Sequence, residues 1–122
     1  MKKKSHPPIL DLIAQTIYDK KGSNILILDV SNISSLTDFF IIAEGNVDRH
    51  VKSIADELMH TLQPEIGHPS RKEGCSGSDW IVLDYTNFLI HLFTPELRER
   101  YSLEKVWNQG VIVDVLIHTH LQ

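Results

Sequence analysis

Between Asp38 and Glu44 the chain carries five apolar residues in succession, Phe39-Phe40-Ile41-Ile42-Ala43. Successive side chains of a strand point to opposite faces, so an unbroken apolar run leaves neither face for water. The run therefore predicts a central strand, with covering elements on both sides of its sheet. A strand of that kind constrains the rest of the chain more than any other segment.

The flanking segments supply candidates for those layers. Pro7 and Pro8 suit the start of a helix over residues 7 to 21, whose Ile9, Leu12, Ile13 and Ile17 share one face. Lys20 and Lys21 suit the negative end of its dipole, and Gly22 follows as a stop signal. Asn24 to Val30 reads as a short strand and Ser31 to Thr37 as a loop or a single turn. After Gly45-Asn46, the spacing of Val51, Ile54, Ala55, Leu58 and Leu62 predicts a second helix, ended by Pro64. Residues 65 to 79 form a Gly- and Ser-rich connection with room for a short edge strand. Trp80 to Asp84 and Phe88 to Phe93 form a hairpin through Tyr85-Thr86-Asn87, with Asn87 able to take a left-handed conformation. Thr94-Pro95 opens a short helix, a capping hydroxyl followed by proline, and Ser102 caps a further turn carrying Leu103, Val106 and Trp107.

This order predicts one α/β domain with a mixed sheet packed by helices, within what 122 residues can fill. Its bounds are residues 7 to 108. The remainder, 109 to 122, is an extension in which Val111 to Ile117 is strongly β-prone and too apolar to stay solvated. It either adds an edge strand or pairs with another copy, giving a homodimer.

Composition narrows the function. No apolar run approaches the roughly 20 residues that span a bilayer. Met1-Lys2-Lys3-Lys4 leads into Ser5-His6-Pro7-Pro8 rather than a signal-peptide core, so the expected location is cytoplasmic. The net charge is -4 with no basic stripe, so tracking of a phosphate backbone is not expected. The three terminal lysines, or Arg49, His50 and Lys52, leave a peripheral RNA contact open, although Asp48, Asp56 and Glu57 dilute the latter. Cys75 is the single cysteine, in a Gly- and Ser-rich turn without an activating partner, and reads as an incidental thiol.

Catalytic chemistry finds no set. Metal-dependent nucleotidyl transfer needs two carboxylates on one strand face. Asp79 and Asp84 are five apart and point to opposite faces, and Asp38 has no acidic partner at 36 or 40. Glu44 shares the face of Asp38 but lies roughly 20 Å away along the strand. His118 and His120 share a strand face without a third metal ligand. No cofactor and no metal are expected.

Polar and aromatic residues concentrate instead between Glu73 and Trp107. Both tryptophans and two of the three tyrosines lie there, and Trp, Tyr and Arg dominate binding hot spots. The candidate partner-binding residues are Trp80, Asp84, His91, Arg98, Tyr101, Leu103, Glu104 and Trp107. Trp80 shares its face with Val82 and Asp84, a carboxylate that speaks against sealing that face. His91 shares its face with Leu89 and Phe93, which fits a hydrogen-bonded core histidine or a recognition surface. Arg98 and Tyr101 are helix neighbours, as are Leu103 and Trp107 with Glu104 beside them.

The ordered set S-x-x-T-D from Ser34, R-H-V-x-x-I-A-D from Arg49, E-G-x-x-x-x-D-W from Glu73, His91, and R-x-x-Y-x-L-E-x-x-W from Arg98 resembles the ribosomal silencing factor, or Iojap-like, family. The likeness runs over roughly residues 8 to 108. It implies a small α/β sandwich with nucleotidyltransferase-like topology but without that fold's catalytic carboxylates. It also implies a non-enzymatic repressor that binds the large ribosomal subunit at ribosomal protein fourteen and blocks joining of the small subunit. The alternative is a small nucleotide-binding or nucleotidyltransferase-like enzyme on the same scaffold.

Overall fold

The apolar run lies where its pattern requires, as a strand inside a six-stranded sheet. The computed structural model describes residues 6–74 and 79–119. In chain order the elements are α1 (Pro8–Asp19), β1 (Ser23–Asp29), β2 (Phe39–Glu44), α2 (Asp48–Ile66), β3 (Arg71–Glu73), β4 (Trp80–Asp84), β5 (Phe88–Phe93), α3 (Pro95–Tyr101), α4 (Leu103–Val106) and β6 (Val111–Ile112). Across the sheet the strands run β3-β4-β5-β2-β1-β6. Only β2 and β5 pair in parallel, and every other neighbour is antiparallel. The sheet is mixed, as the sequence predicts.

Five of the six residues of β2 are buried, and its side chains divide between two cores. Ile41 and Ala43 join Ile27, Ile81, Leu83, Ile90 and Leu92 beneath α1 and α2. Phe40 and Ile42 join Leu28, Val30 and Phe93 on the other face, where Leu97, Leu103 and Trp107 pack against them. One face is thus covered by two full helices. The other is covered only in part, by the short pair α3 and α4.

Several local details differ from expectation. Pro64 lies inside α2, which runs on to Ile66. A proline removes only the bond its own nitrogen would donate, here toward the exposed His60, so the last residues can continue. The stop is Gly67, with φ 80, whose N–H donates to the Gln63 carbonyl. At the β4–β5 hairpin the left-handed residue is Thr86, with φ 75, not Asn87. Asn87 N–H donates to the Tyr85 carbonyl at 2.9 Å, which makes Thr86 the centre of a γ-turn. Asp84 Oδ1 stabilises this strained turn by accepting the Thr86 N–H at 2.8 Å. Thr94 and Ser102 precede α3 and α4, but neither hydroxyl makes a capping bond. The Ser102 hydroxyl donates backward to the Glu99 carbonyl instead, at 2.9 Å.

The end of α1 also differs. The helix stops at Asp19, so Lys20 and Lys21 lie past its last turn, and the left-handed residue there is Lys21, with φ 68. Gly22 is needed for space rather than for conformation. A Cβ at this position would lie 2.4 Å from Ile17 Cγ2 and 3.0 Å from its carbonyl oxygen. Gly22→Ala is expected to lower stability by about 1–3 kcal/mol, the usual cost of overpacking. Urea unfolding would measure it, and an unshifted midpoint would show that Ile17 simply moves aside.

Past α4 the chain returns along the outer edge of β1, with Val111 opposite Asp29 and Ile112 opposite Leu28. Val113, Val115 and Ile117 then pack against the core beneath α1. Cys75, His120 and the lysines at positions 2 to 4 lie outside the described residues.

Candidate protein-binding site

The half-covered face of the sheet holds the candidate residues. In the register of β4 and β5, Trp80 faces Phe93, Val82 faces His91 and Asp84 faces Leu89. Side chains opposite one another in a pleated pair project to the same side, so Trp80, Val82, Asp84, Leu89 and His91 form one surface. With Arg71, Glu73 and Gly74 they line an open groove of about 600 Å³. Its floor is apolar and its β3 side carries charge.

The polar atoms on that floor are paired. The Trp80 indole N–H donates to His91 Nδ1 at 3.0 Å, which places the imidazole proton on Nε2. Phe40 lies 5.0 Å from the His91 ring, and Phe93 lies 5.6 Å from Trp80. Burial pushes the His91 pKa down from 6.5 to about 4, and the indole bond to Nδ1 favours the same neutral form. An unfolded chain would take up this proton near pH 6.5, whereas the folded one resists it until about pH 4. Stability should therefore fall as pH drops through that window, by up to about 3 kcal/mol from this group. Comparing unfolding midpoints of wild type and His91→Phe between these limits tests it. Parallel pH dependence in both proteins would remove His91 as the cause.

Tyr101 adjoins the groove through Trp80. It is 50% exposed, and its ring lies 5.0 Å from Trp80. A large aromatic held against a half-buried partner yet open to water has the composition of a binding hot spot.

Arg98 and Glu104 do other work. Arg98 Nη1 donates to Glu44 Oε2 at 3.2 Å and to the Asn24 carbonyl, while its Nε donates to Glu104 Oε2 at 3.3 Å. Asn24 Nδ2 completes the network by donating to Glu44 Oε1 at 3.0 Å. The Arg98 and Glu44 side chains are only 12% and 10% exposed, so the arginine ties α3 to the ends of β1 and β2. Although Arg98 and Tyr101 are helix neighbours, one turns inward and the other over Trp80. Leu103 and Trp107 likewise turn toward the core under α3 and α4, with Trp107 5.8 Å from Phe40. Both are half-buried.

Trp80, Asp84 and His91 are therefore brought together in the groove, with Tyr101 against Trp80, whereas Arg98, Glu104, Leu103 and Trp107 hold the short helices down. Sequence reasoning did not single out Asn24 or Glu44 as an anchor for Arg98, and it named Val82 and Leu89 only as face neighbours of Trp80 and His91. A lone carboxylate closing an apolar strand was the available sign of Glu44, while Asn24 reaches it through a fold that no local spacing reveals. Of the basic trio on α2, Lys52 pairs with Asp56 at 2.7 Å. His50 Nδ1 accepts the Asn46 N–H at 2.8 Å, and its Nε2 donates to the Lys20 carbonyl at 2.7 Å. Among the described residues no three His, Cys, Asp or Glu side chains are grouped to hold a metal ion. No helix there is long and apolar enough to cross a membrane.

Comparisons with known proteins agree with this fold. Residues 3–120 match the model of a family described as ribosomal silencing factor during starvation, the terminal stretch included. A ribosomal silencing factor of Zymomonas mobilis is 33% identical over 102 residues, covering 84% of this chain and 77% of the relative. One from Halalkalibacterium halodurans is 32% identical over 111 residues, covering 91% and 95%. A crystal structure of a protein from Chromobacterium violaceum superposes with a TM-score of 0.78 at 29% identity, covering 82% of this chain and 83% of that one. The chain belongs to the ribosomal silencing factor family, a family of regulators rather than enzymes.

Proposed function

We propose that this protein binds the large ribosomal subunit through large-subunit ribosomal protein fourteen and sterically blocks joining of the small subunit. The observation that carries this reading is the groove on the half-covered face, floored by Trp80 and His91, with the exposed Tyr101 ring beside Trp80. A monomeric fold gains nothing by leaving such a ring open, whereas a protein partner that buries it gains a hot spot. Glu96 and Glu99 are exposed on the adjoining α3, and Asp84 lies in the groove itself. Such charge suits the basic surface of a ribosomal protein and would speed encounter with it. Blocking requires only occupancy, because a bound domain fills space that the small subunit must enter. The site of action is then the cytoplasm.

Co-sedimentation of the protein with separated subunits tests the reading. Binding to large subunits without nucleotide is expected, and light scattering should show joining suppressed in proportion to occupancy. Binding to small subunits alone would defeat it.

A further inference from the structure

The groove floor carries a donor that the fold itself does not use. His91 Nδ1 accepts the Trp80 indole N–H at 3.0 Å, so the ring proton lies on Nε2, at the other edge of the imidazole. Among the described residues Nε2 has no hydrogen-bond partner. It is not sealed away either, because the buried side-chain atoms left without a partner are Tyr85 Oη and Glu104 Oε1. The fold thus fixes the ring by one nitrogen and leaves the other open to the groove that the ring lines. Around it the floor is carbon. Val82 lies directly opposite on β4, Leu89 is two residues along β5, about 7 Å away, and the Trp80 indole is centred 5.9 Å from the imidazole. Once a partner expels water from such a floor, an unmet N–H costs more than a made bond returns. The groove therefore discriminates between partners at this atom.

The surrounding charges narrow the acceptor. Asp84 and Glu73 both line the groove, and Arg71, the one cation among its lining residues, is already paired with Glu73 at 2.8 Å. A carboxylate or phosphate would meet like charge there. Burial holds the His91 pKa down at about 4, so near neutral pH the imidazole has no charge to offer an anion. A neutral acceptor remains. The main-chain carbonyl is the one that every protein segment carries, and it leaves the flanking positions free for apolar side chains over Trp80, Val82 and Leu89. We propose that His91 Nε2–H is the specificity-determining donor of this groove and takes a main-chain carbonyl of an apolar segment of the bound ribosomal protein. This rests on the proposed function and adds the chemistry by which the groove selects its partner.

Nitrogen-15 NMR of the histidine-labelled protein reads the tautomer directly. The free protein should show His91 protonated at Nε2, and adding purified large-subunit ribosomal protein fourteen should slow exchange of that proton. Protonation at Nδ1 in the free protein would overturn the proposal. Co-sedimentation with large subunits then reads the effect on binding. His91→Phe keeps a ring but loses the donor, and should weaken binding by at least about tenfold. His91→Gln sets an amide N–H near the same point and should recover most of that loss. Lost packing alone would give the reverse order, since phenylalanine fills the ring space better. His91→Phe binding as well as His91→Gln would overturn the inference. Tyr101→Ala separates this failure from failure of the groove as a site. Binding weakened by Tyr101→Ala but untouched by His91→Phe ends the inference alone, whereas a wild type that does not bind large subunits ends the proposed function with it.

Discussion

Arg98→Ala is expected to cost about 3–5 kcal/mol of stability, the usual loss when one partner of a buried ion pair is removed. Glu44, 8% exposed, would be left with the Asn24 amide as its one side-chain donor among the described residues. Water reaches that carboxylate poorly, and the loss comes mainly from its uncompensated charge. Arg98→Lys should recover only part, because an ammonium cannot span both Glu44 and Glu104 as the guanidinium fork does. Replacing both partners, Arg98→Met with Glu44→Leu, should be far milder than Arg98→Ala, since no buried charge remains. Urea or thermal unfolding of the three variants measures the order. Arg98→Ala within about 1 kcal/mol of wild type would mean that solvent screens the pair and that α3 is held by its apolar contacts.

The second large effect is on binding. Tyr101→Ala should weaken association with the large subunit by roughly 2 kcal/mol, about thirtyfold, with little change in stability. Half of its surface is exposed, so the folded chain loses little contact when it is removed. Trp80→Ala should weaken binding at least as much but also destabilise the fold, because it contacts Phe93, His91 and Tyr101. Trp107→Ala is expected to act chiefly on stability, given its packing on Phe40. The readout is co-sedimentation beside an unfolding curve for each variant. Wild-type binding by both Tyr101→Ala and Trp80→Ala would move the contact surface away from the groove.

The elements were legible where periodicity is strong. Five successive apolar residues predicted the central strand, and the spacing of Val51, Ile54, Ala55, Leu58 and Leu62 predicted the face that α2 buries. Local hydrogen bonding was less readable. Asn87 and Thr86 are adjacent in one turn, and residue preference favours Asn for positive φ, yet the Asp84 carboxylate holds Thr86 there. The candidate site was legible as a segment but not as an arrangement. Its polar and aromatic residues are interleaved, and only the register of β4 with β5 shows which of them share the groove. Arg98 illustrates the limit. Its partners Asn24 and Glu44 lie 74 and 54 positions away, so no local spacing could reveal that it faces inward.

His50 has a consequence beyond its own two bonds. Its ring joins the carbonyl at the end of α1 to the N–H just before α2, so one side chain ties both helix termini. Opening that displaces the His50 ring itself would loosen both ends together. The His50 side chain thus links the two helices of one layer at that corner, on the face of the sheet away from the groove.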